Sequence, residues 1–168
     1  MQLNLERMDG YGEYRVDGYQ VNYLFGLNDL CQKYVKNDFS ILELGVNNGV
    51  STEIFCIYAK EVTAVDLQKT EKFGKVLSLH KNLSFFQKKF TDFYSSNTKK
   101  FDLIYIDGSH EYEEVKLDII SCLKFLNPGG MIAGHDYNSS CPGVIRAVDE
   151  KFNEIEVFRD SSWLKKIC

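Results

Sequence analysis

A short apolar run that ends in two glycines constrains the fold more than any other part of this sequence. In the segment 41–50, Ile-Leu-Glu-Leu-Gly-Val-Asn-Asn-Gly-Val, the apolar residues lead to Gly45 and Gly49, and a helical pattern begins at Ser51. This order predicts a buried strand that turns sharply into a helix. The glycines allow tight backbone geometry and the close approach of a ligand. Since ligands bind beyond the carboxyl ends of strands in open α/β sheets, the turn marks a candidate site.

The remainder of the chain repeats this order of strand and helix. Apolar residues at helical spacing predict helices over 23–35, 51–60, 71–80, 111–126 and 143–152, and 91–96 is predicted as a short helix or loop. Asn-Pro-Gly-Gly at 127–130 is predicted to end the helix before it. Predicted strands occupy 39–44, 61–67, 83–87, 101–107, 131–134, 156–158 and 163–167. Together they predict an α/β fold: a doubly wound, mostly parallel sheet of seven strands with an antiparallel C-terminal hairpin.

Length and composition narrow the class of protein. At 168 residues the chain is long enough for one domain, in which 1–37 form an arm and first helix and 38–168 the ligand-binding body. The net charge of −4 and the scattered basic residues give no support for nucleic-acid binding. No apolar stretch reaches about 18 residues, so no membrane span is expected. Five widely spaced cysteines without a C-x-x-C pair, and no signal pattern at the N-terminus, predict reduced thiols in a cytoplasmic protein rather than a zinc site or disulfides.

Four of the five predicted parallel strands carry a carboxylate at their carboxyl ends, namely Glu43, Asp66, Asp107 and Asp136. Asp66 stands at the end of the second strand, 21 residues after Gly45, where an acid binds the two hydroxyls of a ribose; the alternative is an Asp that caps a helix. Asn47 stands where a dinucleotide-binding turn needs a glycine for the pyrophosphate. It therefore favours a ligand without pyrophosphate and disfavours an NAD-dependent oxidoreductase, and Glu43 suits a cationic ligand.

Asp107 and Asp136 follow strands that should be neighbours in the sheet. Two carboxylates this close favour a shared divalent cation, and oxygen ligands select Mg²⁺, Mn²⁺ or Ca²⁺ over zinc. His135 is either a third ligand or points to the other face, and the alternative to a metal site is a pair of polar loop residues bonded to backbone. His110 is the candidate general base because imidazole titrates near neutral pH; otherwise it is a surface histidine at a helix start.

The chain resembles the class I S-adenosylmethionine-dependent methyltransferases over about residues 38–168. The resemblance rests on Glu-Leu-Gly-Val-Asn-Asn-Gly at 43–49, Val-Asp at 65–66, Tyr-Ile-Asp-Gly-Ser-His at 105–110 and Leu-Asn-Pro-Gly-Gly-Met-Ile-Ala-Gly-His-Asp at 126–136. The last two segments are similar to the metal-dependent O-methyltransferase branch. This branch includes the macrocin-type O-methyltransferases and the cephalosporin-hydroxylase-like group, with catechol O-methyltransferases as more distant relatives.

The resemblance implies S-adenosylmethionine as cofactor and Mg²⁺, or another divalent cation, beside it. It implies cofactor contacts from Glu43, Gly45, Asn47, Gly49, Ser51, Asp66 and Asp107. Asp107 and Asp136 would hold the metal with His135, which stands where relatives often carry an acid, and His110 would be the base. Lys88-Lys89 stand where relatives place Gly-Asp to read adenine, so that recognition passes to backbone or to Gln87.

These features predict an O-methyltransferase that acts on a hydroxyl of a small molecule or sugar. The alternative is a non-catalytic module that binds S-adenosylmethionine or a nucleotide. Only residues 1–37 and the loop 136–143 are available to cover the acceptor, so an open site or a lid completed by a homodimer is expected. Tyrosines of the arm line the acceptor pocket or, as we favour, pack the first helix on the core; they are Tyr11, Tyr14, Tyr19 and Tyr23.

Overall fold

The computed structural model describes the backbone of residues 19–167 and the side chains of residues 25–167. The predicted arm over 1–18, and the side chains of Tyr19 and Tyr23, lie outside these described residues. The described helices are α1 Tyr19–Tyr34, α2 Val50–Tyr58, α3 Glu71–Leu79, α4 Phe90–Ser96, α5 Tyr112–Leu123 and α6 Pro142–Lys151. The described strands are β1 Ser40–Leu44, β2 Glu61–Asp66, β3 Leu83–Gln87, β4 Phe101–Ile106, β5 Leu126–Gly134, β6 Glu156–Val157 and β7 Trp163–Lys166.

The seven strands form one sheet in the order β3-β2-β1-β4-β5-β7-β6. The first five strands run parallel, whereas β7 runs antiparallel to both β5 and β6. This arrangement confirms the predicted doubly wound fold and its antiparallel hairpin. The chain leaves β1 toward β2 on one side and returns to β4 on the other, so a crevice opens between the carboxyl ends of β1 and β4.

Apolar side chains cover both faces of the sheet because residues along a strand point alternately to either side. On β4, Leu103 and Tyr105 face one core cluster with α1, α2 and α3. Ile104 and Ile106 face a second cluster with α4, α5 and α6, in which Trp163 is buried. None of the helices in the described part of the chain is long and apolar enough to cross a membrane.

The start of β5 differs from the sequence prediction. Phe101 pairs with Leu126 and Leu103 pairs with Met131, so the segment 127–130 lies opposite Asp102 alone as a bulge. The Asn127 side-chain amide donates to the Asp102 carboxylate over 2.7 Å and fastens the bulge. The Asn-Pro-Gly-Gly sequence indicated a helix end at 126, but α5 already ends at Leu123 and these residues belong to the strand.

Candidate active site

The two glycines of the first turn are needed for contacts within the protein. Gly45 has φ +87°, and a Cβ there would lie 2.0 Å from the carbonyl oxygen of Asp107. Gly49 has φ +83°, and a Cβ there would lie 2.8 Å from the ring of Phe73 on α3. The first glycine therefore lets the β1 turn touch the backbone that follows β4, and the second lets α2 begin against α3.

Glu43 lies behind this turn, fully buried. Its two carboxylate oxygens accept hydrogen bonds from the hydroxyls of Ser51 and Thr52, each over 2.5 Å. Burial raises the pKa of Glu43 to about 8, against the lowering effect of the two hydroxyls, and the nearby acids add to the rise. Glu43 does not line the cavity described next, and its two hydrogen bonds place it in support of the start of α2; its contact with a cofactor stays a prediction.

A cavity of about 850 Å³ opens at the carboxyl ends of the strands. It is lined by the loops after β1, β2, β4 and β5, the start of α4 and one face of α5. Most of the predicted site residues share this lining, namely Gly45, Asn47, Ser51, Asp66, Asp107, His110, His135 and Asp136. Glu43 and Gly49 are outside it. The structure thus brings together the groups predicted for a cofactor and those predicted for chemistry.

Asp66 fastens the glycine turn and faces the cavity. One of its oxygens accepts from the backbone amides of Val46 and Asn47 over 2.8 and 3.1 Å, and the other accepts from the amide of Gln68 over 3.0 Å. A carboxylate has about four acceptor positions, so one stays available for a hydroxyl in the cavity. Asp66 does not cap a helix, since the cap of α3 is Thr70.

His135, Asp107 and Asp136 form a compact group of possible metal ligands. One ligand atom from each lies within 4.8 Å of the others. The Nε2–H of buried His135 donates to the backbone oxygen of Asp160 over 2.7 Å, which leaves Nδ1 facing an Asp136 oxygen at 3.1 Å. A histidine whose second ring nitrogen is tied to a carbonyl is the usual arrangement of a metal-bound imidazole. The three predicted ligands therefore fit a divalent cation.

The charges of this group shift two pKa values. Burial lowers the pKa of His135, but the bond to Asp136 and the surrounding negative charges outweigh it and raise this pKa above its ordinary value. Burial raises the pKa of Asp136, but its contacts with His135 and His110 outweigh it and lower this pKa. Both shifts have the same physical cause, the close contact between the imidazole of His135 and the carboxylate of Asp136.

His110 stands at the mouth of the cavity, more than half exposed. Its Nε2 lies 2.7 Å from the second oxygen of Asp136, a distance at which Nε2–H donates to the carboxylate. Nδ1 then carries the lone pair that accepts a proton. The imidazole is thereby oriented by an acid, as in a general base held by a third group.

Sequence reasoning missed the wall formed by α4 and α5. A Cβ on Gly108 would lie 2.6 Å from the ring of Phe90, which shows that this ring packs against the strand end beside the cavity. Asp118, also in the lining, accepts from the hydroxyl of Tyr94 over 2.7 Å, and burial raises its pKa to about 6. The signal was the helical spacing of Glu114, Leu117 and Asp118, which places all three on one face of α5.

The predicted reading of adenine by Gln87 has no direct geometric support. The Gln87 amide donates to the backbone oxygen of Leu67 over 3.2 Å, and Gln87 does not line the cavity. Lys89 lines the cavity, whereas the backbone amide of Lys88 donates to the Asp66 carbonyl over 3.0 Å.

The cysteines in the described part of the chain form no disulfide bonds. Cys31, Cys56 and Cys122 are buried, and Cys141 is half-buried.

The strand order, the glycine turn and the acid at the end of β2 define a Rossmann-like methyltransferase fold. The family of methyltransferase domains matches residues 42–137, more than half of the chain. The protein belongs to this family, which confirms the predicted class of enzyme, a methyltransferase. Among curated proteins, none matches the chain by sequence.

Solved structures share the fold at low identity. The N-methyltransferase NodS from Bradyrhizobium japonicum, in complex with S-adenosyl-L-homocysteine, is 19% identical, with TM-score 0.69 over 92% of this chain and 89% of its own. An rRNA methylase from Streptococcus thermophilus is 15% identical, with TM-score 0.65 over 82% and 90%. A Klebsiella pneumoniae protein named as a candidate O-methyltransferase is 18% identical, with TM-score 0.64 over 95% and 85%. At these identities the likeness shows the fold alone.

Proposed function

We propose that the protein is an S-adenosylmethionine-dependent O-methyltransferase, assisted by a divalent cation, that acts on a hydroxyl of a small molecule or sugar. The observation that carries the proposal is a single cavity with two kinds of wall. The glycine turn and Asp66 form one wall, and the ligand group with His110 forms the other. The complex of NodS with S-adenosyl-L-homocysteine supports the choice of cofactor.

The first wall suits the cofactor. Asp66 offers a free acceptor position to a ribose hydroxyl, and the backbone of Gly45 leaves room for close approach. The cofactor, when bound, would supply its sulfonium methyl group to an attacking nucleophile, with S-adenosylhomocysteine as the leaving group. Because such a displacement needs alignment more than covalent help, the task of these residues is to fix the methyl group in position.

The second wall suits the acceptor. Asp107, His135 and Asp136 would hold Mg²⁺ or a related cation, which supplies charge stabilisation and a template that orients an oxygen. Nδ1 of His110 takes the hydroxyl proton, and Asp136 keeps that ring in place through Nε2. A base beside paired carboxylates favours a hydroxyl acceptor, and the name of the Klebsiella protein agrees with this choice.

Acidic lining and net charge favour a small acceptor over a nucleic acid. Besides the ligand group, the cavity is lined by Glu114 and Asp118, and the chain carries a net charge of −4. Nucleic-acid binding requires neutralisation of phosphates by basic groups, whereas among the described residues this lining has one lysine, Lys89, against five carboxylates. A homodimer that completes a lid, and a cytoplasmic location, stay predictions; light scattering of the purified protein tests the first.

Calorimetric titration with S-adenosylmethionine, with and without Mg²⁺, tests the proposal. We expect binding that Asp66→Asn weakens by about 10- to 100-fold, since a hydrogen bond to a charged group contributes about 1.5–3 kcal/mol. Asp38→Asn, in an exposed turn before β1, is the matched control and should bind as the natural protein does. Absence of binding in the natural protein, or equal binding by the Asp66 variant, would contradict the proposal.

The transfer step is tested separately with sugar and phenol acceptors. Formation of S-adenosylhomocysteine should be lost in His110→Ala while cofactor binding is retained, because His110 acts on the acceptor alone. Cofactor binding without product from any hydroxyl-bearing acceptor would favour the alternative, a non-catalytic binding module. The two measurements thus separate the cofactor from the chemistry.

A further inference from the structure

We propose that His110, Asp136 and Cys141 form a second divalent-cation site, suited to zinc, directly beside the predicted magnesium ligands. We propose further that zinc bound there inhibits the enzyme by taking the ring nitrogen that orients His110. The second statement rests on the proposed function, whereas the first stands on geometry alone.

The three ligand atoms already lie together. The reactive atoms of His110, Asp136 and Cys141 are all within 4.8 Å of one another. Asp136 divides its two oxygens between two groups, one at 3.1 Å from His135 and the other at 2.7 Å from His110. A carboxylate that faces a different imidazole with each oxygen is placed to serve a cation on either side.

Backbone packing fixes the position of the thiol. A Cβ on Gly143 would lie 2.3 Å from the carbonyl oxygen of His110 and 2.8 Å from the amide of Tyr112, so the first turn of α6 rests on the start of α5. The amide of Cys141 donates to the Asn138 carbonyl over 3.0 Å, which holds the residue at the end of its loop. The Cys141 side chain makes no capping hydrogen bond to α6. The backbone therefore holds the Cys141 thiol close to His110, and no capping hydrogen bond to α6 occupies the thiol.

The donor set selects zinc over magnesium. Thiolate and imidazole favour zinc, whereas Mg²⁺ prefers oxygen ligands such as Asp107. Three protein ligands and an open fourth position are a common coordination of non-structural zinc. In a tetrahedral zinc site neighbouring ligand atoms are separated by about 3.3–3.6 Å. The 2.7 Å contact between His110 and Asp136 must therefore open slightly, which the exposed ring of His110 permits.

Zinc bound in this site would prevent His110 from acting as the general base. Coordination through Nε2 of His110 replaces the hydrogen bond to Asp136 that holds the ring toward the acceptor. Methyl transfer should therefore fall as zinc binds and return when a chelator removes it.

Cobalt absorption and zinc affinity of the full chain test the site. Cobalt(II) stands in for zinc and gives a thiolate charge-transfer absorption only when a cysteine is a ligand. We expect this absorption in the natural protein and in Cys56→Ser, a buried cysteine outside the site. We expect its loss in Cys141→Ser, and its loss or weakening in His110→Ala and Asp136→Asn. Zinc affinity should fall at least about tenfold in Cys141→Ser. Mutation of residues that only hydrogen-bond to a metal ligand already lowers metal affinity about 10- to 100-fold.

Three results would overturn the site. The first is no thiolate absorption in the natural protein, and the second is absorption that is retained in Cys141→Ser. The third is absorption that is lost in Cys141→Ser but unchanged in both the His110 and the Asp136 variants. The spectra require neither cofactor nor acceptor, so failure of the proposed function leaves them readable. If transfer is observed, Cys141→Ser should keep it in zinc-free buffer and resist inhibition by zinc. Equal inhibition of the variant would overturn the inhibitory role alone.

Discussion

Glu43 stabilises the start of α2 from a position that has no contact with solvent. Its oxygens are occupied by Ser51 and Thr52, and Ser51 lies in the cavity lining while Glu43 does not. A change in the protonation of Glu43 thus reaches the cavity through the hydroxyl of Ser51. An ionised carboxylate with two hydrogen bonds pays a large desolvation cost at full burial, which is why its pKa is raised.

The first prediction at this scale concerns the pH dependence of stability. The folded-state pKa of Glu43 is about 8 against an ordinary value of 4.5, so the folded protein binds the proton more tightly than the unfolded chain. Its contribution to the free energy of unfolding is therefore largest below pH 4.5 and is lost as the pH rises toward 8. The loss is at most about 5 kcal/mol at 1.36 kcal/mol per pKa unit.

Glu43→Gln removes this titration while keeping a similar shape. Urea unfolding between pH 5 and pH 8.5 should show a flatter dependence for the variant than for the natural protein. Glu154→Gln, at an exposed position, is the control and should leave the dependence unchanged. A variant curve parallel to the natural one would show that Glu43 does not titrate in this range.

At the scale of elements, backbone contacts around the glycine turn decide which glycines can be replaced. Gly45 combines a left-handed φ of +87° with a contact to the Asp107 backbone that leaves no room for a methyl group. Gly74 lies within α3, and a Cβ there meets nothing within 4 Å. Replacement by alanine is therefore expected to destabilise the protein at Gly45 and to stabilise it at Gly74.

Gly45→Ala should lower the free energy of unfolding by more than about 3 kcal/mol, because both strain and collision oppose it. Gly74→Ala should raise it by about 0.5–1 kcal/mol, since alanine is the better helix former and restricts the unfolded chain. Chemical unfolding of both variants measures the two changes. A Gly45 variant as stable as the natural protein would show that β1 and β4 do not approach as closely as described.

The elements that the sequence predicted well are those whose apolar pattern decides their position. Asp-Leu-Ile-Tyr-Ile at 102–106 is too apolar for anything except a buried strand, and β4 lies at Phe101–Ile106. The sequence prediction placed the start of β5 too late, because Pro128 and Gly129 are typical both of the end of a helix and of a bulge in a strand. The meeting of Cys141 with His110 was out of reach, because it depends on how closely α6 packs at Gly143 rather than on any spacing along the chain.

Across the whole molecule, the N-terminal helix and the C-terminal hairpin meet behind the predicted metal ligands. The carboxylate of Asp160, in the β6–β7 turn, accepts from the backbone amides of Leu27 on α1 over 2.6 Å and Ser162 over 2.9 Å. Its own backbone oxygen accepts the Nε2–H of His135. Gly26 lies so close to this carboxylate that a Cβ there would be 2.1 Å from it. Asp160 thus connects α1 and the C-terminal hairpin, and it also fixes the orientation of the His135 ring.

Asp160→Asn should disturb stability and metal binding together. The variant keeps one acceptor oxygen but places an amide N–H opposite a backbone donor, so one of the two buried hydrogen bonds is lost. We expect the free energy of unfolding to fall by about 1–3 kcal/mol. We expect manganese affinity, measured by electron paramagnetic resonance of the free ion, to fall by about 10-fold or more, because His135 loses its fixed support.

Asp29→Asn is the matched control for this link. Asp29 pairs with Arg159 over 3.0 Å between the same two elements, but both side chains are substantially exposed. An exposed ion pair contributes about 0–1 kcal/mol, so this variant should keep both stability and manganese affinity. A fall in stability without a change in manganese affinity in Asp160→Asn would show that the turn holds α1 but does not position His135. Unchanged values of both would show that the two ends of the chain do not support the site.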